Sequence, residues 1–449
     1  MRGVISASIA YLVSWLIGAL GLRIYLKSAQ CRHSLILFLA PGAGLFAGVF
    51  ILYLGLYLFN GISRVFALAA NLLLLIVLCA VWRRAPRDKR DNSLVKEWKI
   101  LFAVLCLGAL FLLAVMLKSP FGSGLDVWAI WKMKARVIYY SPEWRSIFSL
   151  ALRFSHPDYP LFYPLAMIWG WLPGGRETPA ASFGLALIFT LSLIGIVVSA
   201  AAERGTKSGW LCGLFLISVP HFIGMGGSQY ADILVAYFYT AAVVLMDQAF
   251  REGNERLARV SGVFAGMSSF VKNEGLLFFV AFCVSLFLFA VLGPKKRRPI
   301  FRRFFFTAAQ GGLFFLAFTA FFKYFEFYPN HMLKPETIRY HLTSGDILPR
   351  TVTILSFAFG EFFKENSWVY VWPVFWLIFI LYPRRTLDPK RLWIFLAAFF
   401  VNVGYACVYL VTALGLSMQL EASLDRVMIH TFPAFTYFFL TGAPFAQES

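Results

Sequence analysis

Apolar stretches near the ~20 residues needed to cross a bilayer recur along this chain from residue 4 to residue 441. They fall at 4–22, 34–59, 65–82, 100–117, 180–202, 208–224, 231–250, 260–271, 276–292, 304–322, 367–382, 391–414 and 427–441. A backbone in hydrocarbon must satisfy its own hydrogen bonds, which leaves helices or a closed barrel. Continuous apolar runs, without period-two alternation, select helices. The chain is therefore expected to be an all-α polytopic membrane protein with about 11–13 transmembrane helices. Composition agrees: 60% of residues are hydrophobic and 14% charged, where soluble domains are about half apolar and a quarter charged. The six cysteines (Cys31, Cys79, Cys106, Cys212, Cys283, Cys407) lack the paired spacing of a disulfide framework or metal site.

Lysine and arginine accumulate in cytoplasmic loops. The basic clusters here are Arg23/Lys27/Arg32, Arg83 to Lys99, Arg204/Lys207, Arg251 to Arg259, Lys295 to Arg303 and Arg384 to Arg391. One assignment places all six inside. The net charge of +19 is concentrated there, so it reports topology and not a nucleic-acid partner. The Lys295 to Arg303 run also suits anionic membrane lipids. The expected location is the inner (plasma) membrane, with the opposite face turned to the periplasm or exterior. That face receives two long loops, 118–179 and 323–366, and three short turns near 229–232, 272–275 and 415–426. The Arg83 to Lys99 loop is the best module boundary. It separates a three-helix segment, 1–99, from 100–449.

The stretch 260–292 has basic flanks on both sides, so it must cross an even number of times. Its length is short for two full spans of ~20 residues. Two short helices are expected, broken at Lys272-Asn273-Glu274-Gly275 near the outer face.

Polar chemistry collects on that face. The first long loop opens Gly-Ser-Gly-Leu-Asp126, and Trp128, Trp131, Ala135 and Ile138 follow at helical spacing, with Lys132, Lys134 and Arg136 between them. This reads as an amphipathic helix along the interface. Asp126 at its start serves either as a helix N-cap, which local sequence favours, or as a base at the membrane surface. The loop closes on His156-Pro157-Asp158-Tyr159-Pro160, whose prolines impose an extended backbone. Asp232 and Glu274 stand at span edges, where ionisable groups usually face a polar cavity or a partner. Arg426 precedes the last span. His331, Glu336, His341 and Asp346 share the second loop without the spacing of a standard metal site.

An acid near the start of a long first outer loop, and a His-Pro-x-x-x-Pro close followed by an apolar half-helix, resemble the GT-C glycosyltransferases. The likeness is to the branch around protein O-mannosyltransferases and bacterial lipid A and lipopolysaccharide sugar transferases. Tyr230-Ala231-Asp232, Lys272-Asn273-Glu274-Gly275, and Arg426 leading into a Pro433-containing helix resemble later motifs of that branch. The resemblance covers roughly 100–441 and makes the first three spans an addition. It implies a GT-C-like bundle using a polyprenyl-phosphate sugar donor, bound from the membrane, with a lipid, glycan or protein acceptor. Many members carry a second acid directly after the first. Here Val127 follows Asp126, so a second acid must come from elsewhere, such as Asp158. There is no large soluble C-terminal domain of the oligosaccharyltransferase kind.

That reaction matches the residues available. Asp126 would take the acceptor proton. Lys272 and Arg426 would hold the leaving phosphate. Asp232, His156, Asp158 and Glu274 would orient sugar hydroxyls or these cations. Trp128, Trp131 and Tyr159 would stack on the sugar or line the lipid groove, or simply anchor the interface. A single displacement inverts the anomeric centre. A divalent metal is left open. The competing class is a transporter or flippase for a lipid-linked sugar, although transporter sites usually lie at the midplane.

Overall fold

The computed structural model describes residues 1–27, 33–84, 95–330 and 332–442. Arg32, His331 and the core of the expected module boundary, 85–94, lie outside the described residues. Every described element is a helix. The first four are α1 (Arg2–Tyr25), α2 (His33–Phe59), α3 (Arg64–Arg84) and α4 (Val95–Lys118). The first outer loop holds a π-helical turn (Val127–Lys132), α5 (Met133–Tyr140) and the half-helix α6 (Phe162–Trp171). Then come α7 (Pro179–Ala202), α8 (Thr206–Ser218), α9 (Pro220–Gly227), α10 (Asp232–Glu252), α11 (Glu255–Ser268), α12 (Asn273–Val291) and α13 (Arg298–Phe325). The second outer loop contains α14 (Pro335–Thr343), α15 (Ile347–Phe362) and α16 (Glu365–Trp368). The chain ends with α17 (Val371–Leu381), α18 (Pro383–Thr386), α19 (Leu392–Val411), α20 (Leu416–Ile429) and α21 (Phe432–Gly442).

Among the described residues nine helices are long and apolar enough to cross a membrane, or ten if α8 and α9, bent by 70°, count as one span. This is a multi-pass helical membrane protein, with fewer full spans than the 11–13 expected. Of the two short helices expected over 260–292, α11 is short at 14 residues, but α12 has 19 and is long enough to cross. Two other expected spans fall short: α17 has 11 residues, and the expected span 427–441 straddles a break between α20 and α21. At 1.5 Å per residue, 11 residues reach only about 17 Å.

α10 is the buried centre of the bundle, with 94% of its apolar window enclosed. Tyr237 on it repairs a proline break in α2. Pro41 has no N–H and displaces the carbonyl of Leu37, four residues earlier. Trp15 of α1 donates to that carbonyl at 3.0 Å. The next amide, Gly42 N–H, donates to the Tyr237 hydroxyl at 3.2 Å, which in turn donates to Phe38 O at 2.8 Å. A proline is tolerable inside a membrane only with such substitutes. Here they pin α1 and α2 to the centre.

The helix ends sort by charge. Arg204 pairs with Asp247, Arg251 with Glu203, Arg303 with Glu255, and Arg256 donates to Tyr25 O, so the loop after α7 and the ends of α1, α10, α11 and α13 meet at one basic pole. Asp126, Asp232, Lys272 and Arg426 meet at the other. That is the arrangement the basic loops imply.

Candidate active site

Three breaks in regular structure build the site. α11 ends at Ser268 and α12 starts at Asn273, with Lys272 extended between them (φ −157°, ψ 158°). Gly275 lets the two ends meet: a Cβ there would lie 1.8 Å from Ser268 O. Lys272 and Glu274 are two apart and would not face each other on one helix. With Lys272 extended, its Nζ reaches Glu274 Oε1 at 2.8 Å. The second break is Gly124 (φ +85°), whose missing Cβ leaves room for the Tyr230 hydroxyl; a Cβ would stand 2.1 Å from it. The third is His430-Thr431 between α20 and α21.

Five of the expected residues converge there. Asp232, the first residue of α10, is fully buried and accepts from three sides: Lys272 Nζ at 3.0 Å, Arg426 at 3.3 Å and His430 Nε2 at 3.0 Å. A helix N-terminus favours a carboxylate there. Arg426 bridges, its other nitrogen 2.6 Å from Asp126 Oδ2, and its guanidinium lies over the Tyr230 ring at 4.5 Å. Burial opposes charge on Lys272, but Asp232 and Glu274 outweigh it and hold its pKa above the ordinary lysine value. A buried charge so paired is tolerable; removing one partner is what costs.

Asp126 is not a cap. Its side chain accepts no backbone N–H, and its own dihedrals are helical (φ −61°, ψ −33°), whereas an N-cap residue is typically extended. The carboxylate turns inward to Arg426. The second acid beside it is Asp232. Asp158 is elsewhere: it lies behind the site, accepting from Asn273 at 2.8 Å and Asn330 at 3.0 Å. Lys134 donates to His156 O and Lys323 to Asp158 O. These clamps hold His156 in the left-handed region (φ 49°), a conformation that costs a non-glycine residue of order 1–3 kcal/mol.

The amphipathic-helix expectation needs correcting in detail. Trp131, Ala135 and Ile138 face the body as expected, but Lys132 and Lys134 are buried too. Burial pushes Lys134 down to about 7, opposed by Asp158 and reinforced by Lys323. Trp131 stacks on Tyr159 (5.7 Å, 16°), and Tyr159 on His156 (4.9 Å, 17°). Trp128 instead lies at the surface, beneath Lys132 (4.3 Å).

A cavity of about 820 Å³ opens at this cluster. Asp126, Asp232, Lys272, Glu274 and Arg426 form its polar end; Trp131, His156, Tyr159 and Tyr230 form one wall. Leu276 and Val280 of α12 and Met418 of α20, all exposed on the bundle surface, form an apolar flank. Two groups at the site escaped the sequence reading, Tyr405 on the cavity wall and His430 buried behind Asp232. Tyr405 lines the cavity and bonds His430 Nδ1 at 2.7 Å. Asp232 faces two cations and acts as acceptor, so His430 donates to it through Nε2–H. Where Nε2 carries the proton to Asp232 and Nδ1 accepts, the Tyr405 hydroxyl donates to His430 and keeps its oxygen lone pairs. The available signal was a His-Thr pair interrupting an apolar run just before Pro433.

Among the described residues no group of three His, Cys, Asp or Glu side chains is arranged to hold a metal ion. Each cavity carboxylate faces a cation instead. In the second loop His341 pairs with Asp346 at 2.6 Å, away from this cluster. Protein-family models, curated proteins and solved structures yield no match to the chain, so the site stands on its own geometry.

Proposed function

We propose that this protein is a GT-C-like integral-membrane glycosyltransferase. It moves a sugar from a polyprenyl-phosphate donor to a lipid, glycan or protein acceptor on the non-cytoplasmic side, with inversion. The observation that carries this reading is Arg426 held between Asp126 and Asp232 at the polar end of a cavity whose flank is apolar and exposed. A ligand with an anionic head and a hydrocarbon tail matches both halves.

The two acids are not equivalent. Asp232 is fully enclosed by three partners, while Asp126 is 33% exposed with one. A phosphate arriving at Arg426 displaces the weaker-held carboxylate, Asp126. Donor binding thereby releases the base. The acceptor O–H then gives its proton to Asp126 as its oxygen bonds the anomeric carbon. The carbon–oxygen bond to phosphate breaks, and the phosphate leaves with the electron pair, held by Lys272 and Arg426.

The test is Asp126→Asn in purified, monodisperse protein. The side chain caps nothing and is 33% exposed, and Arg426 keeps Asp232 as a partner, so the variant is expected to melt only modestly below the parent, with a far smaller fall than Asp247→Asn. Losing a general base should cost ~10²–10⁴-fold in sugar transfer. Transfer at the parental rate would remove Asp126 from the mechanism. A flippase would move the lipid-linked sugar intact; release of free polyprenyl phosphate separates the two.

A further inference from the structure

A second cavity, of about 750 Å³, lies at the opposite, arginine-rich pole. Gly21, Ile24 and Tyr25 of α1, Leu78 of α3, and Glu255, Arg256 and Arg259 of α11 line it. α3 borders it as a peripheral helix of the bundle. Arg64 ties the other end of α3 to Pro173 O at 2.9 Å, yet only 11% of the apolar window of α3 is buried. The wedge between α3 and the α1–α11 contact therefore stays open at the pole where α3 ends.

The walls are of two kinds. Arg256 and Arg259 are three apart and share one face of α11. Arg256 donates to Tyr25 O at 3.3 Å, and Arg259 makes no ion pair with another described residue. Glu255 is taken by Arg303 at 3.2 Å, so it does not neutralise them. The other half is apolar: Ile24, Leu78, and Gly21, whose missing side chain would meet nothing within 4 Å. Two guanidiniums that make no ion pair with another described residue, beside an apolar slot at the end of membrane-crossing helices, are where a lipid phosphate and the first carbons of its acyl chain would sit.

We propose that this wedge binds one anionic phospholipid of the leaflet on the arginine-rich side. The phosphate lies between Arg256 and Arg259, and an acyl chain runs along Gly21, Ile24 and Leu78. The lipid fills the gap under α3 and is independent of the catalytic cavity.

The test uses the full chain in neutral detergent, with melting temperature read against added phosphatidylglycerol, phosphatidylcholine or inorganic phosphate. Phosphatidylglycerol should raise the parent by a few degrees, as a ligand of the folded state does; the other two should not. Arg256→Gln/Arg259→Gln should lose that rise, and Lys207→Gln, an exposed basic change at the same pole, should keep it. A Cβ at Gly21 would meet nothing within 4 Å, so Gly21→Leu should reach into the slot, melt no lower than the parent without lipid, and respond clearly more weakly to it. Native mass spectrometry should find the lipid retained by the parent and lost from the double variant. Equal rises from phosphatidylcholine, a full rise from inorganic phosphate alone, or an undiminished response in the double variant or in Gly21→Leu would each overturn the proposal.

Discussion

Two aspartates near opposite ends of α10 are both buried and both surrounded by cations, but of the two only Asp232 lines the large cavity. Asp247 accepts from Arg204 at 2.6 Å and from the Tyr437 hydroxyl at 2.5 Å, with Arg251 at 3.5 Å. Arg391, beside it, is spent on Phe438 O and Thr441. These bonds tie α7, α10 and α21 together. Asp232 has as many partners, but two of them, Lys272 and Arg426, also face Glu274 and Asp126 across a cavity. A buried ion cluster alone is therefore weak grounds for function. Space beside the cations, and a second acid that a ligand can displace, make the difference.

The comparison is broken most easily at Asp247. Asp247→Asn leaves Arg204 buried with a weakened partner, and breaking such a pair costs about 3–5 kcal/mol. A large fall in melting temperature is expected, with transfer per folded molecule unchanged. Lost transfer in folded Asp247→Asn would mean that the two clusters are not separable.

At the other pole Arg426→Ala and Lys272→Ala should each cut turnover by ~10²–10³-fold, the usual cost of one donor to developing negative charge. Arg298→Ala, near the N-terminus of α13, should leave turnover alone. Lys272→Arg should keep part of the function if charge alone matters. Equal turnover in all of these variants would remove the phosphate assignment.

The most gradual change is a pH slope. Lys134 loses its proton near 7 in the folded protein, against about 10.4 when unfolded. Between those values the unfolded chain binds more protons, so Lys134 makes stability rise with pH across that window; below it the contribution is flat. Lys134→Met should flatten melting temperature against pH there. Identical slopes would show that Lys134 stays charged in its buried seat.

Much of the site was legible because membrane energetics make ionisable residues at span edges conspicuous. Asp126, Asp232, Lys272, Glu274 and Arg426 come from four separate segments, and all line one cavity. What was not legible needed tertiary contacts. Asp126 looked like a cap because its partner, Arg426, is 300 residues away. Asp158 looked like a second acid, but two asparagines from α12 and the second loop take it out of the cavity. Lys132 and Lys134 sit in a pattern that reads as solvated, yet a carbonyl-rich turn buries Lys134 against His156. The span count erred where helices break, since hydropathy registers 427–441 as continuous although His430 and Thr431 divide it.

In the proposed reaction the cavity at Asp232 is where a sugar is cleaved from its lipid phosphate. The direct measurement is purified protein in liposomes, given a polyprenyl-phosphate sugar and mixed envelope acceptors, with both lipid and sugar followed by mass spectrometry. Free polyprenyl phosphate and a sugar-bearing acceptor should appear together, in equal amounts, and Asp126→Asn should slow both by ~10²–10⁴-fold. Intact lipid-linked sugar moving to the other leaflet, with no free polyprenyl phosphate formed, would contradict it.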